Sequence, residues 1–465
     1  MAFVNREGEV QFLLDRTESN QAELIVVYGR RRIGKTELLK EAFKKRKAIY
    51  FAADLGADQD QRRRFSEVIQ ALYPSPLLQT DPPSEWDALF RYLIDLGKKE
   101  RIALVIDDFP YLCSSQPALP SILQRIWDEA GKYSKVCLIL CGSFVSFMER
   151  EILGHKSPLY GRRTGQLLLQ PLPLNALKGF FPGYSAEERI SAYAILGGVP
   201  AYLIQFSDKL SLAQNIEKQI LNPTAFLYDE VRFILMEELR DPKLYLSILQ
   251  SIAFGNTRLN DIVQRTGIER GPVSKYLSVL QDLRLIEREI PTTEKHPEKS
   301  RKGIYRLSDN FFRFWFRFVL PQRSRLVESG GRRILEREIL PHLDNFIGQV
   351  FDKICAEILR YLRDVGRINL DYDTAGRWWD GNEEIDLVGM SGDIPVFAAE
   401  CKWSKKAVGI DVLRNLQRKV PLLAPEGRTA DIRLGLFSRS GFTKELEDPG
   451  KKGKIELIDI RKIGL

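Results

Sequence analysis

Apolar and polar positions along the chain fall into four successive patterns. Over residues 1–165, short apolar runs alternate with amphipathic stretches. Leu24–Tyr28, Ala48–Ala53, Ile102–Ile106 and Val136–Cys141 read as buried strands, and the segments between them read as helices. That alternation predicts an α/β domain built on a parallel sheet. Residues 166–240 lose the strand-like runs and read mainly as helix, broken at Leu196-Gly197-Gly198-Val199-Pro200. From 241 to 320 the spacing predicts three amphipathic helices, at Leu244–Ala253, Leu259–Arg265 (capped by Thr257 and stopped by Gly267) and Val273–Asp282. Two strands follow, at Leu285–Ile290 and Gly303–Leu307, and then an aromatic run, Phe311–Phe318, that reads as a buried helix. Residues 321–335 are rich in Arg, Ser and Gly and read as a linker. A last domain, from about residue 325, is expected to run helix (340–363), strands (367–372, 384–390, 395–401), helix (408–423) and strand (430–437).

The first strand leads directly into Gly29-Arg30-Arg31-Arg32-Ile33-Gly34-Lys35-Thr36, and a helix pattern begins at Thr36. A strand, a loop framed by two glycines and a helix form the setting of a phosphate-binding P-loop, whose backbone N–H groups cradle polyphosphate oxygens. Lys35 is expected to reach the β- and γ-phosphates of ATP, and the Thr36 hydroxyl to ligate Mg²⁺. Ile102–Ile106 ends in Asp107-Asp108. Asp107 fits the carboxylate that holds Mg²⁺ at a strand end, and Asp108 stands where a water-activating residue is expected. Val136–Cys141 ends in Gly142-Ser143, which makes Ser143 a candidate phosphate sensor. Arg162 and Arg163 sit on a loop, where Arg162 is a candidate arginine finger.

Composition narrows the setting. The 465 residues exceed what one core holds, so three or four domains are expected. No apolar run approaches the ~20 residues of a membrane helix, and the N-terminus lacks the apolar core of a secretory signal. Five scattered cysteines and three dispersed histidines (His155, His296, His342) suggest neither a disulfide framework nor a zinc site. A cytoplasmic protein is expected. The net charge is +8, but 62 acidic residues accompany 70 basic ones, so placement of charge matters more than its sum. Lys295, His296, Lys299, Arg301 and Lys302 crowd the loop between the two strands that follow the three helices. Three helices and a basic hairpin predict a winged helix-turn-helix, with DNA as the expected partner: the third helix in the major groove and the wing on phosphates.

The last domain carries a second candidate site. Glu384-Ile385-Asp386 precedes a strand ending Glu400-Cys401-Lys402. Strand alternation puts Glu400 and Lys402 on one face, and an antiparallel neighbour would bring Asp386 to them. Asp386 and Glu400 then offer two carboxylates to Mg²⁺, and Lys402 a cation to steady a water or a developing phosphate charge. That order of elements and charges is the arrangement of a restriction-type nuclease.

These stretches together resemble a known family. Phe3-Val4-Asn5-Arg6-Glu7, Gly29–Thr36, Asp107–Leu112, Gly142-Ser143, Leu159–Arg163 and Gly197–Pro200 resemble the archaeal-type ATPases of the AAA+/STAND group. Tyr305, Phe314–Phe318, Gly348–Phe351 and Glu400–Trp403 resemble the uncharacterised domain fused to them, of the PD-(D/E)xK nuclease-like superfamily. The resemblance implies four parts: an ATPase core (1–165), a helical lid (166–240), the winged helix (241–320) and the nuclease-like α/β domain (325–465). It also implies that Phe3 to Arg6 lie near the adenine and that Pro200 belongs to a lid motif facing the nucleotide. A homo-oligomer is a candidate assembly. Two positions depart from the family: Asp108 replaces a Glu, leaving the hydrolytic base one methylene short, and Asp352 stands where the nuclease-like helix offers Glu.

Overall fold

The structure, a computed structural model, describes residues 3–75, 85–239, 241–423, 432–451 and 455–464. The chain divides into two compact units, residues 1–171 and 172–465.

The first unit is built on five strands: β1 (Glu23–Tyr28), β2 (Ile49–Ala52), β3 (Ile102–Asp107), β4 (Val136–Gly142) and β5 (Gly165–Leu168), in the order β2-β3-β4-β1-β5. All neighbours are parallel. Every residue of β1, β3 and β4 is buried, as expected where helices cover both faces of a parallel sheet. One covering layer is aromatic: Phe65 packs edge-on to Phe51 and against Trp86 and Phe90, with ring centroids 5.1–5.5 Å away. The parallel order carries the carboxyl ends of β1, β3 and β4 to one rim. Gly29, Asp108 and Ser143 follow those three ends.

The second unit opens with helices, among them Ala186–Leu196, which Ser185 and Glu188 start with reciprocal capping bonds. Three further helices, Pro242–Ala253, Leu259–Thr266 and Arg270–Asp282, precede an antiparallel pair, β6 (Ile286–Glu289) and β7 (Ile304–Leu307). Gly267 ends the second of these helices with φ 68, as its position suggested. Thr257 does not cap it: its carbonyl instead accepts the Tyr305 N–H at 2.7 Å, and Arg258 holds the cap position. The aromatic run is a buried helix. Asp309 caps it, and Phe311, Phe312, Phe314, Trp315 and Phe316 are all fully buried.

The expected linker at 321–335 is helical instead, with helices Arg323–Ser329 and Gly331–Ile334 leading into the long helix Leu340–Asp364. Its Arg residues are good helix formers, and Leu326, Ile334 and Leu335 supply a buried face that the composition obscures. The expected strand at 367–372 is not one. Ile368, Leu370 and Tyr372 alternate and are buried, but ladder pairing begins only at β8 (Thr374–Asp380). β9 (Glu383–Ser391) and β10 (Ile394–Lys402) follow antiparallel, and then helix Ile410–Lys419. The strand expected at 430–437 is β11 (Arg433–Ser438); residues 430 and 431 lie outside the described residues. A further strand, β12 (Ile455–Asp459), completes the sheet β12-β11-β10-β9-β8, whose last three strands in sequence run parallel.

Candidate functional sites

In the first unit, β1 delivers the chain to a loop with little room. A Cβ on Gly29 would lie 2.7 Å from the Leu169 carbonyl oxygen. Gly34 has φ 91 at the start of helix Lys35–Phe43, a left-handed conformation that suits glycine. Arg32, at φ 68, adopts it as well, a strained backbone of the kind found at ligand clamps. Ile33 is buried and anchors the loop, whereas Arg32 is exposed, so its part in a phosphate cradle is its backbone N–H. Arg31 donates to the Tyr111 hydroxyl at 3.0 Å and lies 4.7 Å from the Phe144 ring centre.

Lys35 is 5% exposed, and its Nζ donates to the carbonyls of Gly29 and Arg30, both at 2.9 Å. Burial lowers its pKa, while Asp108 and Asp107 pull it back up. Such an ammonium is held at the loop by weak carbonyl acceptors and is available for a stronger anion. Thr36 Oγ1 donates to Asp107 Oδ2 at 2.7 Å, the Tyr50 hydroxyl donates to the same oxygen at 2.5 Å, and the Asp108 N–H donates to Oδ1 at 3.0 Å. Thr36 and Asp107 thus meet as the hydroxyl–carboxylate pair that holds Mg²⁺ in P-loop enzymes, and the residues present fit ATP with Mg²⁺. Asp108 sits at φ 53, and Ser143 Oγ donates to it at 3.2 Å. Burial and then Asp107 raise the Asp108 pKa, which suits a proton acceptor. Tyr50 was not legible as a site residue: it reaches Asp107 only because β2 pairs with β3, a strand order the sequence does not print.

Arg6 is buried at φ 82, donating to Glu9 at 2.7 Å and to the Gln170 carbonyl at 2.5 Å, one residue beyond the Leu169 that crowds Gly29. Phe3, nearby in sequence, is 38% exposed. Arg162, the expected arginine finger, is paired within the first unit. Its guanidinium grips both oxygens of Asp128 at 2.6–3.1 Å and also donates to the Pro158 and Tyr160 carbonyls at 3.0 Å. These contacts tie the loop of Arg162 to the helix that carries Asp128 (Leu119–Glu129). Pro200 opens the short helix Pro200–Leu203 of the second unit.

In the second unit the acidic pair and the lysine do converge. The last register pair of β9 and β10 is Leu387 with Ala399, and Asp386 and Glu400 are the next residues along each strand. Lys402 Nζ donates to Glu400 Oε2 at 2.5 Å and to Asp386 Oδ2 at 3.1 Å. The Cys401 N–H also donates to Asp386, at 2.9 Å. Lys419, on the helix after β10, donates to Glu400 Oε1 at 2.9 Å and to the Glu384 carbonyl at 2.8 Å. Burial pushes Asp386 up, but Lys402 and the Cys401 N–H outweigh it and hold the carboxyl below its usual range. Burial, then Asp386, push Glu400 up. Two carboxylates facing two ammonium groups balance in charge. Among the described residues no cluster of three or more His, Cys, Asp or Glu side chains could hold a metal. Asp352 stands in ion pairs of its own, with Arg377 and Arg306 at 3.1 and 3.5 Å from its Oδ2. Lys419 was missed because nothing marks one helical lysine among many until the helix phase is known.

Comparison with known proteins accords with the first site. Residues 3–206 match the family described as an ATPase domain predominantly from Archaea, and residues 315–415 match one described as archaeal and bacterial proteins of unknown function. An uncharacterised protein of Methanocaldococcus jannaschii is 36% identical over 424 residues, covering 90% of this chain and 92% of the relative. The chain belongs to this family of archaeal-type P-loop ATPases. A second relative from that organism, an uncharacterised ATP-binding protein, is 49% identical over 45 residues, 10% of this chain and 76% of its own. Among solved structures, the Aeropyrum pernix ORC2 protein in ADPNP–ADP complexes is similar over 71% of this chain and 92% of its own, at 17% identity and a TM-score of 0.44. Cdc6p from Pyrobaculum aerophilum is similar over 72% and 97%, at 14% identity and a TM-score of 0.37. No helix among the described residues is long and apolar enough to cross a membrane.

Proposed function

We propose that this ATPase is a nucleotide-driven switch whose output is DNA binding. The observation that carries the ATP half is the meeting of Thr36 with Asp107 beside the buried Lys35. The residues divide the work. Loop N–H groups and Lys35 bind the phosphates. Thr36 and Asp107 hold Mg²⁺, which when bound neutralises developing phosphate charge. Asp108, oriented by Ser143, takes the proton of an attacking water. Arg6 and Phe3 are assigned to the base, and Pro200 keeps its lid role as an expectation. Calorimetry tests this half: Lys35→Ala should abolish ATP binding, and wild-type affinity in the variant would refute the assignment.

The DNA half rests on the three helices and the β6–β7 hairpin, read as a winged helix-turn-helix of the AAA-type arrangement. Arg270, Ser274, Lys275 and Ser278 are exposed along the third helix, and Lys295, Lys299 and Arg301 are exposed on the wing. Lys302 is not free for phosphate, since it pairs with Asp380 of β8 at 2.8 Å.

A second reading, a Mg²⁺-dependent DNA nuclease at the terminal sheet, is favoured by the convergence of Asp386, Glu400 and Lys402. A cation there would displace Lys402 or Lys419 from the carboxylates and orient a water. Incubation with plasmid, linear and branched DNA, with Mg²⁺ or Mn²⁺ and with Asp386→Ala as control, separates the two readings. Cleavage lost in the variant establishes the nuclease; no cleavage by wild type leaves a charge-balanced structural site and the regulator alone.

A further inference from the structure

A cavity of about 430 Å³ opens within the second unit, where the helix Pro242–Ala253, β7, the aromatic helix, the long helix Leu340–Asp364 and β8–β10 come together. Its size falls in the range of small-ligand pockets. Its walls are unusually rich in guanidinium groups: Arg306, Arg313, Arg317 and Arg377 all line it.

These four cations are not equivalent. Arg306 is neutralised by Glu289 at 2.8 Å and Asp352 at 3.5 Å, and Arg377 by Asp352 at 3.1 Å and Glu384 at 2.9 Å. Arg313 and Arg317, four residues apart on one helical turn, form no ion pair with any carboxylate among the described residues. Arg313 donates to the Gln349 amide oxygen at 3.2 Å and lies 5.2 Å from the Phe346 ring centre. Arg317 lies 4.9 Å from the ring centre of Phe254. Aromatic faces brace a guanidinium plane while leaving its N–H edges for a planar or tetrahedral anion. Burial, then the like charge of Arg306, lower the Arg313 pKa to about 10 although Asp352 pulls it back up, so this cation is held there at a cost a further anion would relieve. Gln349 and Ser308, also in the wall, add polar groups that can orient an oxyanion.

We infer that this cavity is a phosphate-ester site, with Arg313 and Arg317 as its paired ligands. The inference depends neither on ATP at the P-loop nor on cleavage at Asp386, although Asp386 lines the same cavity. A phosphate ester reaches it from one of two sources: a free nucleotide or the backbone of a nucleic-acid strand.

The test uses the full chain carrying Lys35→Ala, so that the P-loop does not contribute, in buffer without divalent metal. Three probes are titrated by calorimetry: inorganic phosphate, thymidine 5′-monophosphate and a short 5′-phosphorylated oligothymidylate. Each is measured in the parent and with Arg313→Gln, Arg317→Gln or Arg313→Lys added. Losing one charge-assisted pair should weaken binding about ten-fold in each Gln variant, with partial recovery in Arg313→Lys. Weakening confined to the oligonucleotide identifies a strand as the ligand; weakening of the mononucleotide as well identifies a nucleotide. Arg317 is exposed, so Arg317→Gln decides the matter alone if Arg313→Gln melts early. Absence of binding by all three probes, or affinities within two-fold of the parent in Arg317→Gln, overturns the inference.

Discussion

At the scale of the residue, this protein depends on a few buried ions whose partners are fixed by short contacts. Glu400 is 3% exposed and is held by Lys402 on its own strand and Lys419 on the next helix. Lys419→Met leaves one carboxylate oxygen buried and unpaired, and should cost about 3 kcal/mol in denaturant unfolding. Arg418→Met, which breaks a solvent-screened surface pair with Glu383, should leave the unfolding midpoint close to that of wild type. Equal losses would mean that Glu400 relaxes into water when its partner is removed. Asp108 sets a second expectation. Its carboxyl reaches one methylene less far than that of a Glu, so hydrolysis should be slow and Asp108→Glu should raise kcat; an unchanged or lower rate would show that the left-handed turn at Asp108, not reach, limits the reaction. The P-loop residues were legible because the motif is contiguous and one loop sets its geometry. Tyr50 with Asp107 and Lys419 with Glu400 were not, since each pair joins residues far apart in sequence whose meeting depends on strand order or helix phase.

Elements were legible where apolar periodicity was strong. β1, β3 and β4 appear as unbroken buried runs, and Gly267 stops its helix as a glycine should. The failures share a cause: polar composition concealed a buried stripe at 321–335, and two-residue alternation at 367–372 described extended chain without a ladder partner. The break at Gly197-Gly198 was read as a helix end, and the structure shows why glycine is needed there. The Gly198 carbonyl accepts the Leu172 N–H at 2.7 Å, and a Cβ on Gly198 would lie 1.8 Å from the Leu172 carbonyl oxygen. Gly198→Ala should therefore force the two segments apart and cost about 3 kcal/mol, read as a lowered Tm. An unchanged Tm would mean that this approach is not part of the folded state in solution.

Across the whole molecule, the parts expected beyond residue 171 form one compact unit, although the chain reads as separate lid, winged helix and terminal sheet. The wing is tied to that sheet: the Thr292 N–H donates to the Arg377 carbonyl at 2.9 Å, and Lys302 pairs with Asp380. DNA contact should therefore run through Lys295, Lys299 and Arg301. Reversing the charge of those three should weaken duplex binding and flatten its salt dependence by up to about three units in log–log slope. The same slope after reversal would point to a protein partner. The central claim, that nucleotide at the first unit governs DNA binding by the second, is tested most directly by one titration. Duplex DNA affinity is measured with and without ATP and Mg²⁺, in wild type and in Lys35→Ala. The account predicts that nucleotide changes the wild-type Kd and leaves that of Lys35→Ala unmoved; a wild-type Kd indifferent to ATP would contradict it.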